Sequence, residues 1–199
     1  MQGKLIFAGI VAFGLAEIGI GTLAATTTDV GSEYRAFFID ASTGCLPRKV
    51  SGNYTLGTTL ILDSGQPVQP FEDVLVCGFE NPMVDGTWLR GAEGRLRFAL
   101  GHAPATDLEL RLTGYALVSS RWPRQQLTVL ANGHEVGVAM FEGKVLHDIA
   151  VTIPKSVPLT SGGLLELELR MLRLPYEAPE KKDSRRPSLM INSLWLGPA

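Results

Sequence analysis

A side chain becomes a catalyst beside a second group that activates it: a nucleophile with a base, a carboxylate pair, or a bound metal. The 199-residue chain offers none of these at a telling spacing. Ser119-Ser120 stands outside any Gly-x-Ser-x-Gly elbow, and His102 just before it falls in a turn. His102, His134 and His147 are isolated, with no His-x-His or Cys-x-x-Cys spacing, so no metal is expected. Glu109, Glu166 and Glu168 alternate with leucines, where the ordinary role of a carboxylate is a solvated strand face. Two distant carboxylates could meet across a sheet as in glycosidases, but no spacing selects a pair. The expectation is a chain with no catalytic residue and no cofactor.

Binding chemistry has more to use. Trp88 follows the turn Asp85-Gly86-Thr87, and Trp122 sits between Arg121 and Pro123-Arg124. An exposed aromatic beside planar hydrogen-bonding groups suits sugar rings, because the apolar C–H face stacks while the hydroxyls find polar partners. The alternative is that both tryptophans cap the core at the ends of the domain. Arg185 and Arg186 near Asp183 carry a similar choice. They order their own loop through exposed ion pairs, the favoured reading, or they grip an anionic glycan or phosphate through the arginine fork. The candidate ligand contacts are Trp88, Trp122, Arg124 and Arg185.

These residues lie in a body that must be positioned by what precedes it. Leu5–Ala25, LIFAGIVAFGLAEIGIGTLAA, is a 21-residue apolar run broken by one charge, Glu17. A helix needs about 20 such residues to cross the hydrocarbon core. A removable signal peptide fits too: Lys4 supplies the positive start and Thr22–Ala25 a small-residue cleavage site. Length and Glu17 favour a retained anchor, since a carboxylate inside a membrane helix usually faces a protein partner or a wet cavity. Ala8, Ala12 and Ala16 recur every four residues, the spacing that lets helices approach closely. Lys4 before the run and Asp29 and Glu33 after it put the N-terminus inside and the body outside. The chain is thus expected to be a single-pass protein of a bacterial inner membrane with its C-terminal domain in the periplasm. The alternative is a cleaved periplasmic or secreted protein.

Composition bounds the body. Net charge is −2 and the sequence pI about 5.9, which excludes a basic footprint for nucleic acid. Cys45 and Cys77 both fall in the exported part, where an oxidising compartment favours their pairing over two separate buried thiols.

Residues 1–25 therefore read as anchor or signal, 26–55 as a Thr/Ser/Gly-rich juxtamembrane linker with an apolar island at Ala36–Ile39, and 56–199 as one domain. In that domain the pattern is period-two alternation, the mark of half-buried strands. It runs through Thr58–Leu62, Asp73–Phe79, Arg95–Leu100, Asp107–Leu112, Ile149–Ile153, Leu165–Leu169 and Leu189–Leu196. Gln126–Ala131 and His134–Met140 flank Asn132-Gly133, a pair suited to a type I′ hairpin. Residues 175–188 carry prolines and seven charges and read as a loop, and Trp195 is expected to pack inward. Eight or so short strands with turns between them predict an all-β, antiparallel β-sandwich, jelly-roll-like, preceded by one N-terminal hydrophobic helix.

The series Asp85-Gly86-Thr87-Trp88, Gly94-x-Leu-x-Phe98, Leu108–Leu112, Arg124-x-x-Leu127-x-Val129-x-x-Asn132-Gly133, Ile153-Pro154 and Asp183-x-Arg185 resembles a bacterial jelly-roll module of carbohydrate-binding type. That module accompanies surface-polysaccharide glycosyltransferases and envelope proteins, and the resemblance covers about residues 75–196. It implies a non-catalytic module acting in envelope polysaccharide synthesis or export, with a glycan as ligand, while the apolar run makes the membrane its partner through residues 5–25. The other expectation is an accessory subunit whose helix packs against membrane-protein partners through Ala8, Ala12, Ala16 and Glu17.

Overall fold

The computed structural model describes residues 30–64, 70–172 and 186–199. The apolar run with Ala8, Ala12, Ala16 and Glu17 lies outside the described residues, as does Arg185. Among the described residues no helix is long and apolar enough to cross a membrane.

Alternating leucines become strands because each second side chain can be buried while its neighbours stay wet. Among the described residues ten strands form: β1 (Thr59–Ile61), β2 (Leu75–Cys77), β3 (Thr87–Arg90), β4 (Glu93–Ala99), β5 (Leu108–Ala116), β6 (Arg124–Ala131), β7 (His134–Glu142), β8 (His147–Ile153), β9 (Leu164–Met171) and β10 (Pro187–Pro198). They make two antiparallel sheets. The first runs β1-β10-β5-β8, with β3 also paired to β10, and the second runs β2-β4-β9-β6-β7. Successive strands switch sheets at every step except β6 to β7, which join as a hairpin across Asn132-Gly133. The expected sandwich is therefore present, and its inner faces meet in one leucine-rich core. Leu96, Phe98, Leu110, Leu127, Leu167, Leu169 and Leu196 are among the fully buried side chains.

Pro187 and Ser188 belong to β10 rather than to a loop, and Ser188 is buried with its hydroxyl donating to the Gly91 carbonyl at 2.6 Å. Asn132 does more than turn the chain. It takes a positive φ of 46°, its amide donates to the Pro158 and Leu164 carbonyls, and its side-chain oxygen accepts the Glu166 amide at 2.8 Å. Asn132→Ala is expected to cost about 2 kcal/mol, because three hydrogen bonds and the left-handed preference go together. Denaturant unfolding measures it, and a cost below about 0.5 kcal/mol would contradict the bonding scheme.

The chain before β1 lies against the sandwich. Cys45 and Cys77 form a disulfide, with Cα atoms 4.7 Å apart. The Arg48 amide donates to the Val76 carbonyl, and the Gly52 amide to the Asp73 carbonyl. The Tyr54 ring packs edge-on against Phe98, with centroids 5.1 Å apart. Its hydroxyl lies between the Thr58 and Leu196 carbonyls and accepts the Leu196 amide. Burial raises the Tyr54 pKa above its ordinary value of 10.0, and backbone hydrogen bonding at Leu196 and Thr58 opposes this only in part. The fold therefore favours the protonated phenol. Its contribution is fully present below pH 10 and is lost as pH rises toward the folded value. Unfolding at pH 9 and pH 11 should show that loss, and Tyr54→Phe should reduce the slope. An unchanged slope in that variant would contradict the assignment.

Candidate functional site

Pairing register sets the outer face of the first sheet as a grid of rows. Met190 on β10 lies opposite Trp88 on β3 and Tyr115 on β5. Ile61, Ser193, Thr113 and Asp148 make the next row, and Thr59, Trp195, Arg111 and Ala150 the one after. The leucines of β5 at 108, 110 and 112 face inward, so Glu109, Arg111, Thr113 and Tyr115 must face out.

Trp88 and Tyr115 arch over Met190 and meet edge-to-face, with centroids 5.4 Å apart and planes at 88°. Met190 is buried beneath them at 3% exposure while both rings stay half-exposed. Edge-to-face contact is a favoured aromatic geometry, worth about 0.5–1.5 kcal/mol beyond the area it covers. The turn that delivers Trp88 is closed by the Met83 amide donating to the Gly86 carbonyl, and the Asn192 side chain pins it to β10 by donating to the Asp85 carbonyl. Gly86 has a φ of 144° and presses on the Ile191 carbonyl, where a Cβ would collide with backbone. Burial, and then the Asp85 carboxylate, push the Tyr115 pKa above 10.0, so its hydroxyl is held as a donor.

A second aromatic station lies four residues away along β5, about 13 Å at the rise of a strand. There the Trp195 indole N–H donates to the Gly57 carbonyl at 2.8 Å, and the Arg111 guanidinium stacks 4.8 Å from the ring. Glu109 pairs with that same guanidinium at 2.7 Å. Trp195 thus faces outward, contrary to the inward packing expected from its size. A bulge between Ile191 and Ser193 resets the β10 alternation, and Leu194 and Leu196 fill the core in its place. Between the stations Thr113 donates to Asp148 at 2.7 Å.

Of the other proposed contacts, Arg124 is not brought to this face, Trp122 stands in a connection rather than on a strand of it, and Arg185 lies outside the described residues. Arg124 opens β6, points out from the second sheet, and pairs with Glu142 at 2.9 Å. Trp122 stands in the β5–β6 connection, half-buried, with the Arg121 guanidinium 5.3 Å from its ring. Trp88 and Arg124 therefore project from opposite sides of a sandwich whose sheets pack about 10 Å apart, and they do not share one ligand. Tyr115, Arg111 and Trp195 complete the Trp88 face instead.

The second sheet carries its own cleft, of about 280 Å³, between Arg95, Asn132, Thr160, Glu166 and Glu168. Its charges are already matched: Arg97 to Glu166 at 3.1 Å, Arg95 to Glu93 at 2.8 Å, and Arg170 to Glu168. It has no aromatic wall, so it lacks a surface for a sugar ring. No cluster of three metal-ligating side chains occurs among the described residues.

No protein-family model matches the chain, and no curated protein sequence matches it. Among solved structures it is similar to the CBM36-1 domain of a multidomain xylanase from the hindgut metagenome of Trinervitermes trinervoides. That pair shares 15% identity over 71% of this chain and 97% of that one, with a TM-score of 0.41. A family 35 carbohydrate-binding module from Clostridium thermocellum is similar at 10% identity, over 71% of this chain and 99% of that one, with a TM-score of 0.42. The C-terminal CBM6 of LamC from Zobellia galactanivorans is similar at 10% identity, over 70% of this chain and 99% of that one, with a TM-score of 0.39.

Proposed function

We propose that the chain is a non-catalytic jelly-roll module that binds a glycan on the outer face of its first sheet. The observation that carries this is the Trp88–Tyr115 pair, set edge-to-face over Met190 beside Asp85 on a face where a sheet would ordinarily show polar residues. Two ring stations about 13 Å apart along β5, with Thr113, Asp148 and Ser193 between them, offer stacking at both ends and hydrogen bonding in the middle. In this reading residues 5–25 hold the module to a bacterial inner membrane with the sandwich in the periplasm, and it acts in envelope polysaccharide synthesis or export. Screening the full chain on an array of bacterial surface polysaccharides and their oligosaccharides tests the binding. Retention of at least one glycan is expected, and retention of none would contradict it.

A second reading is the accessory subunit of an inner-membrane complex. Val138 and Met140, each 48% exposed, favour it, because they place apolar surface on the outer side of the edge strand β7. Detergent extraction followed by native mass measurement separates the two: a heavier assembly supports the subunit, and a free monomer with an intact N-terminus opposes it.

A further inference from the structure

The segment before the sandwich carries an exposed aromatic cluster that the glycan reading does not use. A short helix, Ser32–Tyr34, continues as a wider π-helical turn, Arg35–Ile39. Tyr34, Phe38 and Ile39 are 48%, 55% and 56% exposed. The rings of Tyr34 and Phe38 meet at a tilt of 39° with centroids 4.6 Å apart, and Phe37 meets Phe38 edge-on at 4.8 Å. Phe37 also lines a cleft of about 260 Å³ with Leu46, Phe71 and Val76, so the cluster has one side on the domain and one side away from it.

We infer that this turn lies in the headgroup layer of a bilayer, with Tyr34, Phe38 and Ile39 inserted at the boundary with the acyl chains. The inference rests on the reading of residues 5–25 as a retained membrane span, and chain length supplies the link. From Ala25 to Ser32 the backbone reaches at most about 25 Å when fully extended, so the turn cannot leave the neighbourhood of the membrane surface. Tyr34 suits that layer, because its apolar ring and polar hydroxyl are both satisfied there, and Phe38 and Ile39 supply the apolar surface that the acyl boundary takes. Charge says which lipid suits it. Glu33 and Asp40 outnumber Arg35, which already bridges to Asp40 at 3.4 Å, so apolar insertion rather than attraction to anionic lipid holds the turn. On its other side, six residues lead from Ile39 to Cys45 and its disulfide to β2. The edge of the second sheet is then held within about 20 Å of the headgroups, and the module sits on the membrane in a set orientation instead of swinging on a linker.

The test reconstitutes the full chain in phosphatidylcholine vesicles and places a reporter by Phe38→Trp, with the parent's emission subtracted. Lipids brominated near the top of their acyl chains should quench the added emission at least twofold, and aqueous acrylamide should quench it little. The same reporter from Val145→Trp, in the β7–β8 turn, should respond in the opposite way. An added emission at position 38 that acrylamide reaches and bromolipid does not would overturn the inference while leaving the membrane span and the glycan reading standing. So would a lipid-insensitive, blue-shifted emission with doubled particle mass, which assigns the cluster to a second copy. N-terminal sequencing of the same preparation completes the test: a chain starting near Thr26 removes the span and overturns the inference with it.

Discussion

Replacing Cys45 and Cys77 together by serine is expected to lower the unfolding free energy by about 3–4 kcal/mol. The bond closes a loop of 32 residues by sequence separation, and the chain-entropy model assigns a stabilisation of that size to such a loop. Little else would compensate. Cys45, Val76 and Cys77 form a small cluster with Val50, separate from the main core, and Arg48 adds a side-chain bond of 2.7 Å to the Leu75 carbonyl. For a domain of this size the loss corresponds to about 10 °C in melting temperature. Thermal unfolding with and without reductant checks it: reductant should lower the parent's midpoint and leave the double variant's alone. A double variant within about 0.5 kcal/mol of the parent would show that the staple constrains nothing the fold needs.

Trp88→Ala is expected to weaken glycan binding by about 10–100-fold. Covering an aromatic face is worth roughly 1.5–3 kcal/mol, and each 1.4 kcal/mol is about tenfold in affinity. The substitution also frees Tyr115 to rotate and uncovers Met190, so loss of preorganisation adds to loss of contact. Calorimetric titration of parent and variant with an array-identified glycan gives the ratio, and denaturant unfolding shows whether the variant is folded. Trp122→Ala, away from the face, should leave affinity within about twofold. Equal losses at Trp88 and Trp122, or a loss at Trp122 alone, would move the site to the connection between the sheets.

Much of the sandwich can be read from period-two alternation, because alternation is local. The leucines of β5 and β9 declare their buried face without reference to any partner strand, and Asn132-Gly133 declares its hairpin. What alternation cannot encode is which strand lies beside which. Since the chain changes sheet at nearly every step, almost all of the neighbours are distant in sequence. The four residues of β3 are too few to show a period, so Trp88 reads only as the residue after a turn. Trp195 misleads for a different reason: its size suggests burial, but the bulge at β10 leaves Leu194 and Leu196 inside and the indole out. Tyr115 and Arg111 were within reach, because the same leucine pattern that buries one face of β5 puts them together on the other. Their junction with Trp88 was not, because it depends on β10 lying between β3 and β5. The pairing of Cys45 with Cys77 is of the same kind, favoured by compartment and settled by the approach of a distant segment to β2.

The three tryptophans make a binding face on the first sheet directly observable, since each contributes one indole N–H signal. Nitrogen-labelled full chain is titrated with the array-identified glycan and the indole resonances are followed. Trp88 and Trp195 should shift in proportion to occupancy while Trp122 stays in place. A shift confined to Trp122, or saturation by glycan with all three unmoved, would contradict a binding face on the first sheet.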